Sequence, residues 1–269
     1  MAPQPPQITS WEELALLHEE LDPETGEFQH TIFAIVNDDA VYFGQLKIPK
    51  LELSFQQLTT ALYPIPDQEK FPSFPLYDLE ITQAPEVVPA NCYTKRPALP
   101  HYDVFKEYNV LHLLPQGFIE EIHTMEFLTQ HPHPYIIRYH GCRVQRGRIT
   151  GIVLDRHSHN MRDYLKHEIG SLDKKAFMEA LELAIHHVHS LGWAHNDLNP
   201  GNVLINEAGM PILIDFGSSH PIGAKLSTSR GTKGWIDEDM KDYTTSEKHH
   251  DISALLKIRA WLDSPTFQD

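Results

Sequence analysis

The spacing of apolar residues changes several times along the chain, and each change predicts an element. Trp11, Leu14, Leu17 and Leu21 recur at the interval of one helical face. Ser10 stands where an N-cap belongs and Glu13 supports it, so a helix is expected from Trp11. Residues 31–36 and 40–46 are strand-like runs joined by Asn37-Asp38-Asp39, which predicts a β-hairpin. Residues 55–62 predict a short helix, after which Pro64, Pro66, Pro72 and Pro75 mark a linker. From Phe118 to Leu128, Ile122, Met125 and Leu128 share one helical face. Asp173 to Leu191 gives a longer helix, with Phe177, Leu181, Ala184, Ile185 and Val188 inward and Gly192 to end it. Val203-Leu204-Ile205, the turn Asn206-Glu207-Ala208-Gly209 and the run Pro211 to Ile214 predict a tight hairpin. A last helix is expected from about Asp251 to Leu262.

Composition narrows the classes. The 269 residues suffice for one two-lobed domain with an extension. A net charge of −15 argues against nucleic acid and against an anionic membrane surface, and its simplest reading is solubility. Two cysteines, Cys92 and Cys142, make no disulfide framework and fit a reducing compartment. Met1 to Pro6 carries no signal-peptide pattern, and no apolar run reaches the ~20 residues of a membrane helix. A cytoplasmic or nuclear protein is expected. Among 18 histidines, His186 and His189 have a spacing that suits zinc, but no third ligand is placed, so they read as surface residues.

The chemistry concentrates in His195-Asn196-Asp197-Leu198-Asn199-Pro200-Gly201-Asn202 and in Asp215-Phe216-Gly217. The hairpin between them returns Asp215 to the neighbourhood of Asn202, so both side chains can reach one ion. Phosphoryl transfer needs a carboxylate near the attacking hydroxyl and hard oxygen ligands for magnesium. Asp197 suits the first task, and Asn202 and Asp215 suit the second. The plainer alternative is a buried hairpin with polar ends.

These strings resemble the H-R-D-L-x-x-x-N catalytic loop and D-F-G metal motif of the eukaryotic protein kinases. Further resemblance lies in His133-Pro134-Tyr135-Ile136, Ile152 to Asp155, Met161 to Leu165, Gly231-Thr232-Lys233-Gly234-Trp235 and Asp251 to Leu255. The similarity covers roughly residues 76 to 262. It implies an α+β, bilobal protein-kinase-like fold with a β-rich N-lobe and a shortened helical C-lobe, preceded by a helix and β-hairpin extension. The implied divisions are 1–75, 76–155 and 156–269. It implies ATP and Mg2+ as cofactors, with Asp197 as the catalytic carboxylate and Asn202 and Asp215 as metal ligands. Lys95, in a strand resembling V-A-I-K, would bind phosphates and pair with Glu121, for which Glu120 is a competitor. Leu154, Asp155 and His157 would border the nucleotide. A protein or small-molecule hydroxyl is the implied acceptor, and Thr232 favours a Ser/Thr acceptor if that substrate is a protein.

The sequence departs from the family in five places. Residues 79–91 contain no glycine, so the loop whose amides approach the phosphates is missing. Tyr93 takes the alanine position that faces adenine in the family, where it is expected to crowd the base unless the strand register shifts. Asn196 replaces the H-R-D arginine, which makes control through Thr228 or Ser229 doubtful. Asn199 replaces a lysine, and the string is in this respect closer to choline and aminoglycoside kinases. Asp237-Glu238-Asp239 stands where A-P-E belongs, and the chain ends just after the helix containing Asp251, which leaves a face for a dimer or a partner to cover. Three readings stay open: a phosphotransferase acting on protein, one acting on a small molecule, and a pseudokinase scaffold. Residues 1–75 read as a packing extension or as a docking or autoinhibitory element.

Overall fold

A computed structural model describes residues 5–22, 25–37, 39–97, 99, 102–226, 231–237 and 242–267. Thr228, Ser229, Glu238 and Asp239 lie outside the described residues. The chain divides into two compact units: Met1–Pro75 with Arg96–Gln116 and Val144–Thr150, and Leu76–Lys95 with Gly117–Arg143 and Gly151–Asp269. The first therefore takes in more than the N-terminal stretch.

The first unit is built on an antiparallel sheet of β1 (Leu14–Leu21), β2 (Phe28–Asn37), β3 (Ala40–Leu46) and β4 (Tyr63–Pro64), in that order. Strand β2 is buried on both faces, from Thr31 through Ile35. Alternation sends Ile32 and Ala34 to one face, where they meet Val41, Phe43, Ile65, Phe71, Leu99 and Tyr102. Phe33 and Ile35 go to the other face and pack with Ile8, Tyr42, Leu53, Leu58 and Leu62. Leu58 comes from α1 (Phe55–Ala61), whose start is fixed by a capping box between Ser54 and Gln57.

Two expectations for this unit are corrected. The helix expected from Trp11 is a single 3-10 turn, Trp11–Glu13, followed by strand β1. Ser10 does accept from the Glu12 amide, but the strand's pairing with β2 wins over the local signal. A register shift between Leu14 and Leu16 explains the misleading spacing. It leaves Leu14 and Leu17 on one core and Leu16 on the other. The proline-marked stretch is also structured: it holds β4 and α2 (Asp67–Lys70), and Ser73 bridges Arg148. The expected hairpin and the helix near residues 55–62 are present. Tyr102–Glu107 forms α3.

The second unit carries a sheet of β5 (Cys92–Lys95), β7 (Arg148–Asp155) and β6 (Tyr139–Gln145), in the order β5-β7-β6. Residues 76–91 form no strand, and only Gln83 bridges Cys142. Helix α4 spans Leu113–Thr129. Then follow β8 (His159–Asn160), α5 (Met161–Lys166), α6 (Lys174–Ser190) and β9 (Trp193–Ala194). The strands β10 (Val203–Ile205) and β11 (Pro211–Leu213) are the predicted hairpin, joined by β8. Strand β12 (His220–Pro221) pairs with β9, and α7 (Lys248–Asp263) packs on α6. Gly192, at φ 82°, ends α6 and turns the chain towards His195. No helix among the described residues is long and apolar enough to cross a membrane. Strands and helices are mixed in each unit, which makes the chain α+β.

Candidate active site

Strand alternation fixes the first element of the site. In β5, Cys92 is buried, while Tyr93 and Lys95 share the opposite face and line one cavity. Lys95 Nζ donates to Glu121 Oε1 of α4 at 2.6 Å and to Asp215 Oδ1 at 2.9 Å. Glu121 rather than Glu120 is thus the partner. Burial alone would lower the Lys95 pKa, but the two carboxylates overcome it and raise it, so the ammonium is firmly held. Burial would raise Asp215, yet Lys95 draws it below the usual carboxylate range. Burial pushes Glu121 up, against the pull of Lys95.

The segment at Asp215 is shaped by the backbone. Asp215 sits at φ 61°, ψ 73°, a left-handed conformation that aspartate tolerates, and Oδ1 accepts from the Gly217 amide across the following 3-10 turn. Phe216 is buried with its ring edge-on to His195, 5.1 Å between centroids. His195 Nδ1 accepts from the Asp197 amide and Nε2–H donates to the Ile214 carbonyl, which fixes one tautomer. The hairpin closes where the Ile214 amide donates to the Asn202 carbonyl at 3.0 Å, so Asn202 and Asp215 are brought together as expected.

Asp197 is surrounded by donors. Its Oδ1 accepts from Thr232 Oγ1 at 2.7 Å and Asn199 Nδ2 at 3.2 Å, and its Oδ2 from Asn202 Nδ2 at 3.1 Å. Burial raises its pKa in spite of these bonds. Asn199 does more than stand in for a lysine. Its Oδ1 accepts from the Gly201 amide, and its Nδ2 also reaches Thr232. Because Asn202 Nδ2 is turned to Asp197, its side-chain oxygen Oδ1 is left as a ligand. Asp215 Oδ2 likewise makes no hydrogen bond among the described residues. A carboxylate oxygen and a carboxamide oxygen together suit Mg2+.

The loop is held from below by Asp251, which is fully buried. Its carboxylate accepts from the His195 and Asn196 amides, each at 2.8 Å, and from His189 Nε2 at 2.7 Å. His189 is therefore a buried structural residue, not the surface residue expected. Among the described residues no cluster of three metal-ligating side chains suits zinc.

A cavity of about 440 Å³ opens beside Lys95 and Asp215. Leu154, Asp155 and His157 border it, and the Asp155 carboxylate is occupied by His140 at 2.6 Å. Leu204 and Ile214, which no motif marks, line it next to the polar motif residues, as does Asn160, which also caps α5. A strand period of two, counted from Asn202, would have flagged Leu204. Tyr93 lines the cavity as well.

A family model for the protein kinase domain matches residues 103–255. The chain belongs to the protein kinase family. Similar proteins include the serine/threonine-protein kinase/endoribonuclease IRE1 of Hypocrea jecorina, 32% identical over 122 residues, covering 38% of this chain and 10% of that protein. Ribosomal protein S6 kinase alpha-6 of Danio rerio is 30% identical over 121 residues, 44% of this chain and 15% of that protein. The DNA damage-responsive serine/threonine-protein kinase RqkA of Deinococcus radiodurans is 59% identical over 34 residues, 13% of this chain and 5% of that protein. The chain thus spans no more than 15% of these relatives. Protein kinase domains as a class use ATP and a divalent metal. In this kinase domain the cations lining the cavity are Lys95 and Arg156.

Proposed function

We propose that this kinase domain transfers the γ-phosphoryl group of ATP to a hydroxyl acceptor. One observation carries the reading: Lys95 is bound to both Glu121 and Asp215, at 2.6 and 2.9 Å, a pairing that would orient its ammonium towards phosphate oxygens. Lys95 would hold the α- and β-phosphates. Asp215 Oδ2 and the side-chain oxygen Oδ1 of Asn202 would hold Mg2+, which would neutralise phosphate charge. Asp197 would orient the acceptor hydroxyl. The acceptor oxygen bonds to the γ-phosphorus as the β,γ-bridging P–O bond breaks. ADP leaves with that electron pair, and the hydroxyl proton passes to Asp197 and then to water.

Thermal stabilisation by Mg-ATP, absent in Asp215→Asn, tests the nucleotide site. Labelled-phosphate transfer to a protein and metabolite panel, abolished in Asp197→Asn with Mg-ATP binding retained, tests the chemistry. Transfer to proteins supports a Ser/Thr acceptor, in keeping with Thr232. Transfer to metabolites alone supports a small-molecule kinase, in keeping with Asn199 in place of lysine. The scaffold reading is favoured by residues 76–91, none of which lines the cavity. No stabilisation at millimolar Mg-ATP would establish it over the enzyme.

A further inference from the structure

A second cavity lies in the same unit as the one beside Lys95. It measures about 720 Å³, within the range of small-molecule sites. Met125 and Leu128 of α4, Ile136, and Ile212 of β11 give it an apolar wall. Ile137, Asp155 and His157 border both cavities, but neither Lys95 nor Asp215 lines this one. The phosphoryl transfer proposed above makes no use of it.

Its charge is unusual for this chain. Acidic residues outnumber Lys and Arg by 37 to 22, so cations seldom lack an acid to pair with. Arg138 nevertheless lines the cavity with no hydrogen bond or ion pair from its side chain among the described residues. Among the described residues, Asp155 is the one carboxylate in the lining, and His140 holds it at 2.6 Å. Burial and the neighbouring His187 lower the pKa of His133, so that lining residue adds no charge at neutral pH. The balance is one unpaired guanidinium, one paired carboxylate and an apolar wall. A dianion such as a phosphate would face Asp155 with a single permanent cation to balance it. A monoanion is matched, and the flat fork of a guanidinium suits a carboxylate. An apolar body attached to that carboxylate would gain by leaving water for the wall.

We propose that this cavity is a second binding site, for a small monocarboxylate with an apolar body, whose carboxylate pairs with Arg138. Met125, Leu128, Ile136 and Ile212 take the apolar body. The site does not rest on the nucleotide reading: a chain without phosphotransferase activity would hold the same ligand.

The test is calorimetric titration of the full chain with sodium octanoate, kept below micelle formation. Two further probes separate the contributions: 1-octanol has the body without the charge, and acetate has the charge without the body. Native protein, Arg138→Lys and Arg138→Gln are compared, each first shown to melt as the native protein does without ligand. Octanoate should bind the native protein at one site, and octanol and acetate should each bind roughly tenfold or more weakly, since each lacks one contribution. Arg138→Gln should weaken octanoate roughly 5- to 100-fold, the range of a hydrogen bond to a charged group, with the low end applying where water still reaches it. Arg138→Lys keeps the charge and should lose less. Failure of millimolar octanoate to bind the native protein overturns the site. Octanol binding as well as octanoate overturns the recognition of charge. Equal octanoate binding by native protein and Arg138→Gln overturns the proposal too, because the ligand is then held elsewhere on the chain.

Discussion

Removing the Asp251 carboxylate should unfasten the loop that begins at His195. It accepts three hydrogen bonds in a fully buried position: His189 Nε2 at 2.7 Å and the His195 and Asn196 amides at 2.8 Å. Hydrogen bonds to a charged group contribute about 1.5–3 kcal/mol each, so the gross loss in Asp251→Ala is roughly 5–9 kcal/mol. Part is recovered because a buried charge no longer has to be held out of water, and about 3–5 kcal/mol should remain. Asp251→Asn can keep two bonds by placing its oxygen where Oδ2 stood. Its amide then faces the Asn196 N–H, donor to donor, and the expected loss is about 1–3 kcal/mol. Urea unfolding followed by tryptophan fluorescence reads both, since Trp193 lies two residues ahead of His195. Phosphoryl transfer should fall in the same order. A loss below about 1 kcal/mol in Asp251→Ala would refute the view that this carboxylate holds the loop.

Other outcomes follow from groups around the site. Burial raises the Asp197 pKa while Lys95 keeps Asp215 low, so turnover should fail with acid at a higher pH than Mg-ATP binding does. The signs are opposite: ionised Asp197 costs folding stability at neutral pH, whereas Asp215 contributes stability that is lost as pH falls through its lowered pKa. Coincident acid limbs for turnover and binding would count against this assignment. Burial pushes the Cys142 thiol up to about 12, so iodoacetamide at pH 8 should leave it unmodified in the folded chain and alkylate it in denaturant, as read by peptide mass spectrometry. Gly141, at φ 116°, has no room for a Cβ, which would lie 2.6 Å from the Ala84 amide nitrogen. Gly141→Ala should lower stability by about 1–3 kcal/mol, and an unchanged urea midpoint would sink the idea.

How legible the molecule was depends on where the deciding interaction lies. The catalytic-loop and Asp215 motifs are local strings on a short hairpin, so their meeting follows from chain length and strand period. Glu121 was implied by the family resemblance with Glu120 left as a competitor, which only the bond from Lys95 decides, and the long helix followed from Asp173, which does cap α6. The strand Leu14–Leu21 was hidden because a register shift within a sheet mimics helical spacing, and pairing to β2 lies beyond any local window. His189 looked like a surface histidine because its partner, Asp251, is 62 residues away.

Asn196 shows how the loop keeps its shape without the family's arginine. It is buried, at φ 63°, in the left-handed region that asparagine enters more readily than most residues. Its Nδ2 donates to the Ala194 carbonyl, the Ser218 carbonyl and Ser246 Oγ at 3.0–3.1 Å. Its Oδ1 accepts from the Glu247 amide at 3.3 Å and from His250 Nδ1 at 3.2 Å. One neutral group thereby ties β9, the turn after Asp215 and the start of α7. An arginine there would be a cation in need of an anion, whereas the carboxamide needs none. The polarity of these bonds makes a sharp prediction. Asn196→Asp is isosteric, but it turns a carboxylate oxygen onto two carbonyl oxygens. Asn196→Ala only deletes bonds, at about 1–3 kcal/mol. The aspartate variant should therefore be the less stable of the two at neutral pH and should regain ground as acid protonates it. If thermal melts at pH 7 rank the two variants the other way, the carboxamide is not what ties these segments together.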